Sequence, residues 1–138
     1  MMKNTTVVVL VVCLSIMAGL AIGQSQAPSP DPGLTIARME TAGGVENREP
    51  VDVSASFPAT QERVYCFLEF INVPAETSVN VVWTLGLNEM AKVPLTIKPF
   101  SKYRTWAYKT IGGMRGDWKV EVVDASGNML KSATFKVE

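Results

Sequence analysis

From Leu34 onward the apolar residues recur at every second position, in short stretches separated by turn-forming residues, and no stretch keeps a 3.6-residue period for three turns. Side chains alternate across a strand, so this pattern predicts β-structure throughout. The first predicted strand is Thr35–Thr41, ended by Gly43-Gly44. The region 45–61 reads as irregular, punctuated by Pro50 and Pro58. Arg63–Val73 follows, with Val64, Cys66, Leu68 and Phe70 on one face and Tyr65, Phe67, Glu69 and Ile71 on the other. Being apolar on both faces, it belongs in the middle of a sheet. Further strands are read over Ser78–Leu85, Met90–Lys98, Ser101–Ile111, Asp117–Asp124 and Met129–Val137. Pro94 cannot donate to a ladder, which places the Met90–Lys98 strand at an edge or gives it a bulge. About seven strands with turn signals every ~8–12 residues predict an all-β fold, an immunoglobulin-like two-sheet sandwich, with a small closed barrel as the alternative.

The N-terminal residues follow another rule. Lys3 precedes an apolar run from Val7 to Ile22 interrupted only by Ser15, and Ala21-Ile22-Gly23 has the small-x-small spacing of a cleavage site. This reads as a signal helix over residues 1–23, cleaved after Gly23 or kept as an uncleaved anchor. Residues 24–33, with Pro28, Pro30 and Pro32 among Ser and Gln, read as a linker, and residues 34–138 as the folded domain. A periplasmic or extracellular location follows. Removing the signal takes Cys13 with it, so Cys66 has no partner for an intrachain disulfide and reads as a small core hydrophobe.

Composition narrows the chemistry. The 138 residues carry 13 Lys+Arg against 13 Asp+Glu and no histidine. A neutral chain is ill suited to nucleic acid, whose binding rests on neutralising phosphates. Without histidine the commonest general base and zinc ligand are missing. No Ser/His/Asp set, Cys/His pair, metal-ligand spacing or phosphate loop is visible, so no catalytic residue, metal or cofactor is assigned.

Charge is nonetheless uneven. From Glu40 to Glu89 eight acids meet two bases, a balance of −6, and from Lys92 to Lys119 seven bases meet one acid, a balance of +6. Pairing across strands would interleave the two halves. If the bases share a face, that face attracts an acidic partner.

Two candidate sites emerge. Alternation in Ser101–Ile111 sets Lys102, Arg104, Trp106 and Tyr108 on one side. Exposed, they would offer aromatic planes and cationic donors to a sugar or an acidic peptide. A small sandwich normally keeps its tryptophans inside, so the simpler arrangement has Trp106 and Tyr108 in the core, with Lys102 and Arg104 beyond the sheet margin. The burial of Trp106 decides. The second candidate is the loop cluster Glu46, Arg48 and Glu49, read either as surface pairs that cap turns or as a binding loop.

Other residues have structural roles. Trp118 opens a strand just after Gly116, where a corner aromatic plugs the core. Asp124 and Gly127 fit a hairpin, the carboxylate accepting turn amides and the glycine taking a positive φ.

The run Gly116-Asp117-Trp118-Lys119-Val120-Glu121-Val122-Val123-Asp124, followed by Gly127 and Leu130, resembles the C-terminal signature of a bacterial family of exported or membrane-tethered proteins known only as a domain of unknown function, number twenty-nine fourteen. The stretch from Gly44 to Pro50 and the Arg104–Trp106 strand fit that resemblance. It implies an extracytoplasmic β-domain and carries no catalytic residues with it. The expected function is therefore an exported, non-catalytic module of the bacterial cell envelope that binds a protein partner or a glycan, touching the membrane only through an uncleaved N-terminal segment. The alternative is an envelope hydrolase or other enzyme whose site the sequence does not display.

Overall fold

The computed structural model describes residues 34–138; the signal and linker expected over residues 1–33 lie outside the described residues. Among the described residues nine strands form two sheets: β1 (Thr35–Glu46), β2 (Glu49–Val53), β3 (Ser56–Phe57), β4 (Arg63–Ile71), β5 (Thr77–Leu85), β6 (Asn88–Ile97), β7 (Lys102–Thr110), β8 (Gly116–Asp124) and β9 (Met129–Val137). One sheet has the order β2-β1-β4-β7 and the other β3-β9-β8-β5-β6. The fold is an all-β two-sheet sandwich of four and five strands.

The core lies between the sheets and comes from one face of each strand except β2. Val64, Cys66, Leu68 and Phe70 of β4 meet Val79, Val81 and Trp83 of β5 and Val120 and Val122 of β8, all of them buried. Phe135 is the aromatic hub, stacked on Trp118 at 5.8 Å and meeting Trp83 edge-on at 6.0 Å. Offset and edge-on rings fill a core without voids while keeping their quadrupoles favourably oriented. β4 lies between β1 and β7, in agreement with its two apolar faces. β6 is an edge strand carrying Pro94, and its register against β5 shifts between Trp83 and Thr84.

Nine strands rather than seven follow from the region read as irregular. Pro50 and Pro58 do not prevent pairing there: β2 forms a hairpin with β1, and β3 makes a short parallel pair with β9. Gly43-Gly44 bends β1 rather than ending it. The strand pairs with β4 as far as Ala42, then continues to Glu46 against β2. A Cβ on Gly43 would stand 3.1 Å from the Asp52 Cβ, and one on Gly44 would stand 3.1 Å from the Val51 Cγ2. Glycine is what lets the two strands approach so closely at the bend.

Candidate functional site

The bend determines the site. Arg38 and Glu46 are eight residues apart on β1, which is about 26 Å along a straight strand. Glu49, directly opposite Glu46 in the hairpin, nevertheless lies 3.1 Å from the Arg38 Nη1. The hairpin therefore folds back over the outer face of the four-stranded sheet. It reaches as far as β7, where Glu49 meets the Arg104 Nη1 at 2.8 Å. Phe67 points to this outer face, yet it is 0% exposed, with the Arg38 guanidinium 5.2 Å above its ring.

Beneath the hairpin tip, two guanidiniums and two carboxylates form a closed ring. Arg104 Nε donates to the Glu69 Oε2 at 3.0 Å, and Glu69 lies 3.6 Å from Arg38. Glu49 completes the circuit from Arg38 back to Arg104. Register explains the arrangement, because Arg38, Glu69 and Arg104 stand side by side on β1, β4 and β7. The hydrogen bond that Arg38 donates to Glu49 raises the pKa of Arg38 above its ordinary value despite partial desolvation, so this guanidinium stays charged. Each carboxylate serves two cations, an arrangement suited to holding the hairpin in place.

Two further features border the ring. On one side, Arg48 at the hairpin tip, Lys102 and Arg104 line a shallow groove of about 290 Å³. Asn47 and Arg48 both have positive φ, 50° and 61°. Asn accepts the left-handed region readily but Arg does not, so the tight turn places Arg48 here at some backbone cost. Among the described residues, no acid lies within ion-pair distance of Arg48 or Lys102. On the other side is an aromatic ledge made of Trp106, 36% exposed, and Tyr108, 48% exposed. Tyr108 lies 5.6 Å from the Tyr65 ring, and the Arg63 guanidinium sits 4.5 Å over it. Hydrogen bonding to the Tyr65 side chain raises the pKa of Arg63, with Tyr108 adding to the effect.

The structure thus brings the two sequence candidates onto one face. Trp106 and Tyr108 are not core residues, contrary to the simpler arrangement: β7 turns Tyr103, Thr105 and Ala107 inward and Trp106 and Tyr108 outward. Lys102 is exposed, whereas Arg104 is engaged by Glu49 and Glu69. Glu46 is exposed at the hairpin end and takes no part in the ring. Arg38, Glu69, Arg63 and Tyr65 were not anticipated as site residues. Glu69 carried a signal, being an acid amid an apolar strand; Arg38 carried none.

The remaining singled-out residues lie elsewhere. Cys66 is a buried free thiol, and its burial pushes the pKa up to about 12. Trp118 is buried, and its Nε1 donates to the Met114 carbonyl at 3.0 Å. Asp124 is buried and accepts the amides of Ser126 and Asn128 at 3.0 and 2.9 Å, while Gly127 takes a φ of 90°. A second concavity, about 450 Å³, borders Asp117, Trp118, Lys119 and Lys136 on the five-stranded sheet.

No curated protein sequence matches the chain. Solved structures with a similar chain trace include a β-glucosidase from Kluyveromyces marxianus, with 13% identity, a TM-score of 0.46 and 77% of this chain covered. A mutant β-glucosidase from Listeria innocua in complex with laminaribiose follows at 9%, 0.47 and 76%. A β-glucosidase from Erythrobacter marinus follows at 6%, 0.48 and 76%. The chain spans only 14%, 16% and 15% of those proteins, respectively. A family model does match, over residues 76–137, the stretch that runs from just before β5 to the end of β9. That stretch is similar to the DUF2914 family, a protein family of unknown function.

Proposed function

We propose that this chain is an exported, non-catalytic recognition module of a bacterial cell envelope, periplasmic or extracellular, that binds a protein partner or an envelope glycan. Its binding surface is the outer face of the four-stranded sheet. The observation that carries the reading is the aromatic ledge. Trp106 and Tyr108 stand partly in solvent on the outward face of β7, next to a groove of cations. Planar rings beside cationic donors match sugar faces and acidic side chains alike. In support of a binding role rather than a chemical one, the two carboxylates of the ring, Glu49 and Glu69, are each held by two guanidiniums.

An immunoglobulin-like arrangement of the sandwich belongs to the same proposal. What supports it is the parallel pairing of β3 with the last strand, the buried Trp83 on β5 in one core with Cys66 on β4, and the contact of Trp118. That indole lies near the start of β8 and donates to a carbonyl four residues upstream, as a corner tyrosine does in such sandwiches.

The test is retention of envelope material by the immobilised full chain, compared with Trp106→Ala/Tyr108→Ala. Both side chains are partly exposed, so the variant should keep a cooperative thermal transition while losing a defined glycan or protein species. Equal retention by the two proteins would reject the binding surface. N-terminal sequencing of material recovered from the envelope tests export, and a start at Met1 in a soluble cytosolic fraction would refute it.

A further inference from the structure

Among the described residues the two sheets end in four edge strands, and three of them are blunted. β3 has two residues; β2 has five, with Pro50 and with Asp52 at a φ of 55°; β6 carries Pro94 and the register shift. Short, kinked or proline-bearing edges are how sheets avoid pairing with other chains. β7 uses none of these backbone devices, and its edge lysines, Lys102 and Lys109, repel only cationic strands. Its nine residues pair with β4 without a shift, from Thr110 opposite Arg63 to Lys102 opposite Ile71, and they include no proline, glycine or positive φ. Its other side leaves a row of backbone N–H and C=O groups without a neighbouring strand.

The surroundings specify what would pair there. From Lys98 to Gly116 there are five bases and no acid. Lys102 and Arg48 stand at one end of β7 and Lys109 and Arg63 at the other, with Trp106 and Tyr108 between. We infer that β7 accepts an added strand from a partner protein, an extended segment acidic at its ends whose central apolar side chains rest on Trp106 and Tyr108. The inference rests on the reading of this face as a recognition surface and names its occupant. A second copy is disfavoured, because β7 against β7 would set lysine and arginine against their own kind. A saccharide could cover the rings but would leave the backbone row unmet. Strand addition uses that row for affinity and the flanking side chains for choice.

The experiment follows amide exchange by NMR in the full chain as the peptide Glu-Glu-Val-Thr-Val-Thr-Glu-Glu is added. The expected result is slowed exchange at alternate amides of β7, with the peptide bearing Lys in place of Glu binding about tenfold or more weakly. Two versions N-methylated at odd or at even central positions should differ, one losing binding and the other keeping it. Lys102→Glu/Lys109→Glu should reverse the charge preference. Absence of binding, binding without protection in β7, or equal loss with both N-methylated peptides would overturn strand addition. If strand addition fails while Trp106→Ala/Tyr108→Ala still loses its envelope ligand, the recognition reading stands without it.

Discussion

Replacing Glu69 by Gln removes the most enclosed charge of the ionic ring while keeping the shape of the side chain. Its side chain is 9% exposed, against 44% for Glu49, and it accepts the Arg104 Nε at 3.0 Å with Arg38 at 3.6 Å. A hydrogen bond to a charged group contributes about 1.5–3 kcal/mol, and breaking an enclosed pair costs more when the remaining charge stays dry. Here the Arg104 and Arg38 side chains keep 27% and 36% exposure, so water recovers part of the loss. The expected cost of Glu69→Gln is therefore about 2 kcal/mol, a fall of roughly 10 °C in Tm for a domain of this size. Glu49→Gln, at the rim, should cost about 1 kcal/mol or less. Urea unfolding gives both values, and a double-mutant cycle of Glu69→Gln with Arg104→Gln should return a coupling of about 1 kcal/mol or more. If Glu69→Gln costs no more than Glu49→Gln, or the coupling is below about 0.5 kcal/mol, the ring does not hold the hairpin.

Three further outcomes follow from two buried groups. Below about pH 9 the Cys66 thiol is protonated whether the chain is folded or not, so its contribution is fully present; between there and about 12 only the unfolded chain ionises, and stability falls. The slope should approach ~1.4 kcal/mol per pH unit relative to Cys66→Ala, measured by denaturation at a series of pH values, and identical curves would refute it. At pH 8 the folded protein should leave Cys66 unmodified by a thiol reagent, as peptide mapping would read. Asp124→Ala orphans the amides of Ser126 and Asn128 and should cost about 2 kcal/mol, with faster exchange at those two amides, while Asp124→Asn, which keeps one acceptor, should cost less.

Much of the fold was legible because alternation reports burial directly. The two apolar faces of β4 placed it inside a sheet, and Pro94 pointed to an edge or a bulge for β6, which has both. What periodicity does not carry is the direction a chain takes after a glycine pair. Gly43-Gly44 looked like a terminus because glycine is poor in strands, yet here it bends a continuing strand so that Glu49 returns over Arg38. The opposite charge balances of the two halves do meet, in Glu49 and Glu69 with Arg104 and in Glu76 with Lys98. Which acids would be chosen depended on that bend. A rule about average burial favours a core position for Trp106, whereas the pattern of β7 alone leaves either face open to it, and the structure has it outward.

The stretch matched by the family model begins at residue 76, after β4 has already been laid down. The strands before it supply Val64, Cys66, Leu68 and Phe70, one wall of the interior, and the Ser56–Phe57 segment clasps the last strand. A fragment excised at the family boundary would expose the greasy inner surface of the five-stranded layer to water, so expression trials that trim at residue 76 should yield insoluble material. The unit that folds is larger than the unit that sequence comparison delimits.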